Sequence, residues 1–222
     1  MDKQLAENLE KKLGISQEQI VREEYEILVL KSLFESELGK LFVFRGGTAL
    51  RLAYGSPRFS EDLDFSIIED FEEKKLKKLL GKIAKQSKAL ELKEALQKKN
   101  TYLGVFKVKE NFLNQPFSIK LEASTRPFNW KKNKDYQLVT LKSNVTNLTV
   151  LAQVATLKQI EKEKMLIKPP RIRDIFDIWF IGQKLNKQTK IDFSNWDKRI
   201  VRRELHKFLP EGERKLLSQW LK

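Results

Sequence analysis

Apolar positions along the chain change period several times. Ile20, Ile27, Leu30 and Phe34 recur at helical spacing and predict an amphipathic helix from Ser16 to about Leu38. Ser16-Gln17-Glu18-Gln19 fits a capping box at its start, Ser16 capping and Gln19 reaching back. Leu41–Phe44 is a short apolar run that reads as a buried strand, broken by Gly46-Gly47, with a short helix following over Thr48–Tyr54. Asp62–Ile67 alternates carboxylate and apolar side chains, a strand pattern. In the charged stretch Glu69–Lys99, Leu76, Leu79, Leu80 and Ile83 form the stripe of a surface helix. Tyr102–Lys109 and Phe117–Ala123 alternate as strands joined across Asn111–Pro116. From Val150 onward the pattern reads as helical, interrupted at Pro169-Pro170 and near Asn186–Asp192. The order α, β, α, β, α, β, β and then α alone predicts an α+β domain over 1–145 and a helical one over 146–222.

Composition narrows the chemistry. The chain has 222 residues, no cysteine and one histidine, His206, which rules out thiolate sites and multi-histidine zinc centres. It holds no long apolar run, and Met1 is followed by charged residues, so the expectation is a cytoplasmic chain with no membrane partner. The net charge of +14 is unevenly spread: residues 1–70 sum to −5, residues 71–117 to +7, residues 118–190 to +9 and the remainder to +3. A basic remainder behind an acidic first third suits a polyanionic partner, although a lysine-rich solvated surface gives the same count.

Asp62 and Asp64, at i and i+2 of a strand, project from one face while Leu63 and Phe65 point to the other. Two hard oxygen donors side by side suit Mg²⁺, which binds through a few carboxylates and substrate phosphates; a solvated strand edge is the plainer reading. Upstream, Gly46-Gly47-Thr48 follows a strand and opens a helix. Glycines there let phosphate approach backbone N–H groups at the positive end of the helix dipole, or simply make a tight turn. Together the two features suggest a nucleoside triphosphate site.

Phe44-Arg45-Gly46-Gly47-Thr48-Ala49-Leu50, followed by Arg58-Phe59-Ser60-Glu61-Asp62-Leu63-Asp64-Phe65, resembles the AbiEii/AbiGii-type nucleotidyltransferase toxins of the DNA polymerase β-like superfamily. Arg173-Asp174-Ile175-Phe176-Asp177-Ile178-Trp179 looks like the second signature of that family, and the resemblance covers about Ile20 to Lys184. It implies a polymerase-β-like core with a mixed sheet and flanking helices, completed by a helical C-terminal part. It also implies Gly46, Gly47, Thr48 and Ser60 at the phosphates and Asp62 and Asp64 on one or two Mg²⁺ ions. For the superfamily's third carboxylate, on a later strand, Glu122 is the candidate. Lys120 lies beside it, and a strand ion pair is the alternative. The family lysine before the Arg-Asp signature corresponds to Lys162, or to Lys158 one turn earlier. Arg173 is expected at the triphosphate and Asp177 at the lysine or the substrate. Asp174 is expected either there or as a helix cap with an internal ion pair.

The resemblance thus implies an enzyme moving NMP from an NTP to an acceptor hydroxyl, with RNA and in particular a tRNA 3′ end as acceptor and an antitoxin protein as partner. Phe128-Asn129-Trp130-Lys131-Lys132 interleaves rings with positive charge, which suits an unpaired base, although such residues are more often half-buried core edges. Nucleotidylation of a protein or a small molecule, and a catalytically silent nucleic-acid-binding module, are the rival readings.

Overall fold

In a computed structural model, which describes residues 1–221, the chain builds a mixed seven-stranded sheet with flanking helices. The strands are β1 (Phe42–Arg45), β2 (Asp62–Ile67), β3 (Leu90–Lys98), β4 (Thr101–Val108), β5 (Phe117–Ser124), β6 (Tyr136–Leu141) and β7 (Val150–Ala155), in the order β3-β4-β5-β2-β1-β7-β6. β2 runs parallel to β5 and β1 parallel to β7, while the remaining pairs are antiparallel.

Helix α1 (Lys3–Leu13) is capped by Asp2 and stopped by Gly14, and it precedes α2 (Gln17–Phe34). The capping box expected at Ser16 does not form. Ser16 makes no side-chain cap and Gln19 is buried, so it cannot reach back to a solvent-exposed end. The second helix also stops at Phe34, short of Leu38, and a 3₁₀ turn over Gly39–Leu41 leads into β1.

Helix α3 (Gly46–Tyr54) starts directly after β1. Helix α4 (Glu73–Ala84) buries the expected stripe of Leu76, Leu80 and Ile83. These residues join Val21, Leu30, Phe44, Phe65, Ile119 and Leu121 in one core against the sheet.

The chain beyond α4 departs from its sequence pattern in two places. Leu90–Lys98 is a strand at the sheet edge, most of its side chains exposed, where charge hides the alternation. Tyr136–Leu141 and Val150–Ala155 are antiparallel neighbours, so the helical reading from Val150 fails for six residues. The boundary expected near residue 145 therefore falls between two strands of one sheet. Val150–Ala155 lies between β1 and β6, and strand pairing overrides the helical reading of its local pattern.

The helices after β7 are α5 (Leu157–Met165), α6 (Ile172–Lys184), α7 (Lys198–His206) and α8 (Lys215–Trp220). The breaks at Pro169-Pro170 and Asn186–Asp192 fall between helices, as expected. Helices α6 to α8 have their own core of Phe176, Phe180, Val201, Leu205 and Leu217. That unit is tied to the sheet domain where Phe59 N–H donates to the Phe208 carbonyl at 2.8 Å and both side chains join Ile20 in one buried apolar cluster.

Candidate active site

Strand alternation fixes the carboxylates. Leu63 and Phe65 are buried on the core face, so Asp62 and Asp64 stand half-buried on the other. β5 repeats the pattern, burying Phe117, Ile119, Leu121 and Ala123 and leaving Lys120 and Glu122 outward. The register sets Asp62 opposite Lys120 and Asp64 opposite Glu122, so three acids and a lysine share one face as expected. On the other side of β2, Arg45 lies opposite Asp64.

The glycine turn meets this face directly. Gly46 has φ +81°, in the left-handed region, and a Cβ there would overlap the Asp64 carboxylate. A Cβ on Gly47 would lie 2.5 Å from Nη2 of Arg58 and 2.7 Å from Oγ of Ser60. Both glycines are thus required by close approach. Thr48 plays a different part from the expected one: its hydroxyl, buried, donates to the Asp62 carbonyl at 2.6 Å and pins α3 to β2. Only the backbone N–H groups of this first helical turn remain suited to an anion.

Burial pushes the Asp64 carboxyl above its ordinary range; Arg45 and Lys164 oppose this, while Asp62 and Glu122 add to it. A cation would relieve that repulsion. Among the described residues, no group of three or more His, Cys, Asp or Glu is gathered tightly enough to hold a metal ion, so Glu122 does not close a triad with the two aspartates. Asp62 and Asp64 nonetheless offer the donor set that Mg²⁺ takes when phosphates complete its shell, beside a cradle kept open by Gly46.

The second signature folds onto the first. Asp177, fully buried, accepts from Nε and Nη2 of Arg58, both at 2.8 Å, and from Nζ of Lys164 at 2.7 Å. Asp174 accepts from Lys164 at 2.9 Å and from Nε of Arg171 at 2.6 Å, and also closes a capping box with Arg171 at the start of α6. Its reading as cap and ion pair therefore holds. Burial raises the carboxyls of Asp174 and Asp177, but the guanidinium and ammonium partners outweigh it; Asp174 is held at about 2 and Asp177 below its ordinary value.

The lysine expected at position 162 or 158 is displaced. Lys162 and Lys158 are exposed, whereas Lys164, on the inward side of α5, is buried between Asp174 and Asp177 and acts electrostatically on Asp64. Arg173 does not join the glycine turn; its Nη1 faces Glu61 at 3.7 Å and its guanidinium lies over Phe208. Arg58 and Arg45 carried no role in the sequence reading, although both stand inside the first signature.

Behind the site, α2 presents a buried polar stripe. Glu23 accepts from Arg51 at 2.5 Å and from Ser143 at 2.6 Å. Glu26 is buried with Oε1 lacking a hydrogen-bond partner among the described residues. Burial pushes its carboxyl well up; Arg22 opposes this, while Glu23 and Asp62 reinforce it.

Residues 28–213 match the family described as AbiEii nucleotidyl transferase toxins of type IV toxin–antitoxin systems. No curated protein matches the chain significantly. Among solved structures, JHP933 from Helicobacter pylori is similar with a TM-score of 0.55 and 22% identity over 76% of this chain and 68% of its own. MenT4, a nucleotidyltransferase toxin from Mycobacterium tuberculosis, is similar with a TM-score of 0.56 and 17% identity. That likeness covers 84% of this chain and 63% of MenT4.

Proposed function

The chain belongs to the AbiEii nucleotidyltransferase toxin family, and from that premise we propose that it is an Mg²⁺-dependent enzyme transferring NMP from an NTP to a hydroxyl of RNA, a tRNA 3′ end in particular. One observation carries the reading. The glycine turn that opens α3 abuts the Asp64 carboxylate, so an anion cradle and a carboxylate pair share one end of the sheet.

The backbone N–H groups at the start of α3 hold the triphosphate, with Ser60 beside them. Mg²⁺ held by Asp62 and Asp64 would neutralise triphosphate charge as the in-line displacement proceeds. The acceptor oxygen forms its bond to the α-phosphorus, the bond to the β-phosphate oxygen breaks, and pyrophosphate leaves. Glu122, exposed beside Asp64, takes the hydroxyl proton. Lys164 faces Asp64 from α5, fixed by Asp174 and Asp177, and supplies positive charge at the phosphates; in this role it replaces Lys162. The +9 charge of residues 118–190 supports a polyanionic acceptor, and the toxin–antitoxin family supports a cognate antitoxin as partner.

Purified protein incubated with total RNA, MgCl₂ and each α-labelled NTP in turn should label a band of tRNA size. Label on protein or on small molecules would overturn the RNA acceptor, and absence of label with all four NTPs would overturn the transfer reaction.

A further inference from the structure

Three cations from three separate helical segments converge on one carboxylate beside the site. Glu61, one residue before Asp62, accepts from Nζ of Lys207 at 2.6 Å. It is also faced by Nη1 of Arg173 at 3.7 Å and Nη2 of Arg22 at 4.0 Å. The last two distances exceed those of hydrogen bonds, so neither guanidinium closes on Glu61, and Nη2 of Arg22 instead donates to Glu18 at 2.9 Å.

Aromatic faces hold the cations in place. Arg22 lies 4.3 Å over Phe117, and Arg173 and Lys207 lie 5.4 and 5.0 Å from the centre of the Phe208 ring. Arg22 is 95% buried on its side chain's surface, being 5% exposed, and its Nε has no hydrogen-bond partner among the described residues. Its Nη1 donates to the Ser118 carbonyl at 2.6 Å, which ties the cluster to the start of β5.

The place of the cluster gives its ligand. β2 lies between β1 and β5; the glycine turn extends from β1, while Arg22 ties the cluster to the start of β5. An in-line displacement puts the entering hydroxyl and the leaving pyrophosphate on opposite sides of the α-phosphorus. With triphosphate on the β1 flank, the acceptor strand approaches from the β5 flank. A phosphodiester offers charge and more acceptor positions than one carboxylate can, suiting Arg173, which stands off from Glu61, and Nε of Arg22, which has no partner among the described residues.

We propose that Arg22, Arg173 and Lys207 form a phosphodiester site for the acceptor strand, with Glu61 as the resident anion that the backbone phosphate displaces. The assignment to the acceptor rests on the transfer reaction proposed above, whereas the phosphate chemistry rests on the cluster itself.

The test is binding of a 5′-fluorescein single-stranded RNA dodecamer by fluorescence anisotropy, without NTP or divalent metal. Glu61→Gln removes the competing charge and should tighten binding by about 3–10-fold, a gain that unfolding cannot mimic. Lys207→Ala, at a half-exposed side chain, should weaken binding by about 3–10-fold and lower the slope of log affinity against log salt by about one. Unchanged affinity in both variants would overturn the site even if the wild-type protein transfers nucleotides. Failure of transfer, with binding responding as stated, would instead overturn the transfer reading alone. Tighter binding of polyglutamate by Glu61→Gln, with RNA unaffected, would overturn the assignment in favour of an acidic protein partner.

Discussion

Two pairs of aspartates lie at one end of the molecule and are treated oppositely by the fold. Asp62 and Asp64, two apart on β2, share a face with Glu122, and the Asp64 carboxyl is pushed up by burial and by its acidic neighbours. Asp174 and Asp177, three apart on α6, are more deeply buried yet held ionised by Arg58, Lys164 and Arg171. Burial alone does not decide the state of a carboxylate; the donors aimed at it do. The strand pair is left in want of a cation, which suits metal and phosphate chemistry. The helix pair is already neutralised, and so serves to fix Lys164 and to bind the second signature to the first.

This contrast is open to measurement. The largest effect on stability should come from Asp177→Ala, which strands the buried Arg58 guanidinium, only 3% exposed, without its bidentate partner. A loss of about 3–5 kcal/mol is expected, lowering the melting temperature by more than about 6 °C, whereas Asp64→Asn should leave it within about 2 °C. Equal melting of the two variants would erase the distinction.

Acid titration separates the pairs by sign. The folded Asp174 carboxyl, at about 2, lies below its ordinary value of 3.8, so its contribution is complete above that value and is lost as pH falls through 2. It amounts to about 2 kcal/mol in urea unfolding, and Asp174→Asn should show a correspondingly shallower decline between pH 4 and 2. The raised Asp64 works in the other direction, its protonation on acidification favouring the folded state.

A smaller effect is expected behind the site at Glu26. Its folded carboxyl lies well above the ordinary 4.5, so it costs stability increasingly as pH rises from that value toward the folded one. Glu26→Gln should therefore gain about 1 kcal/mol at pH 8 and little at pH 4, as read by thermal melting. A pH-independent difference would contradict the burial of an ionisable group there.

Legibility in the sequence followed the same division. Strands β2, β4 and β5 announce themselves because apolar side chains alternate along them, with the intervening positions half-buried in β2 and β4 and exposed in β5. The placement of the carboxylates and glycines was legible for that reason, being set by local period and turn chemistry. Leu90–Lys98 was lost because its alternation, begun at Leu90 and Leu92, is broken by a bulge between Leu92 and Glu94 and masked by charge on a mostly exposed edge. Val150–Ala155 was lost because its strand state comes from pairing with β1 and β6. Lys164 was missed because lysines at 158, 162 and 164 are equivalent until α6 folds back and one of them meets Asp174 and Asp177. Thr48 and Arg173 had plausible phosphate roles by type, but the partners that claim them, the Asp62 carbonyl and Glu61, are visible only in three dimensions.

The central claim is that Asp62 and Asp64 serve transfer while the helix pair serves the scaffold. The most direct measurement compares wild type with Asp64→Asn for transfer of α-labelled NTP to total RNA, with melting recorded on the same samples. Loss of labelling by at least about 10³-fold at an unchanged melting temperature is the predicted result. Full labelling by the folded Asp64→Asn protein would contradict it.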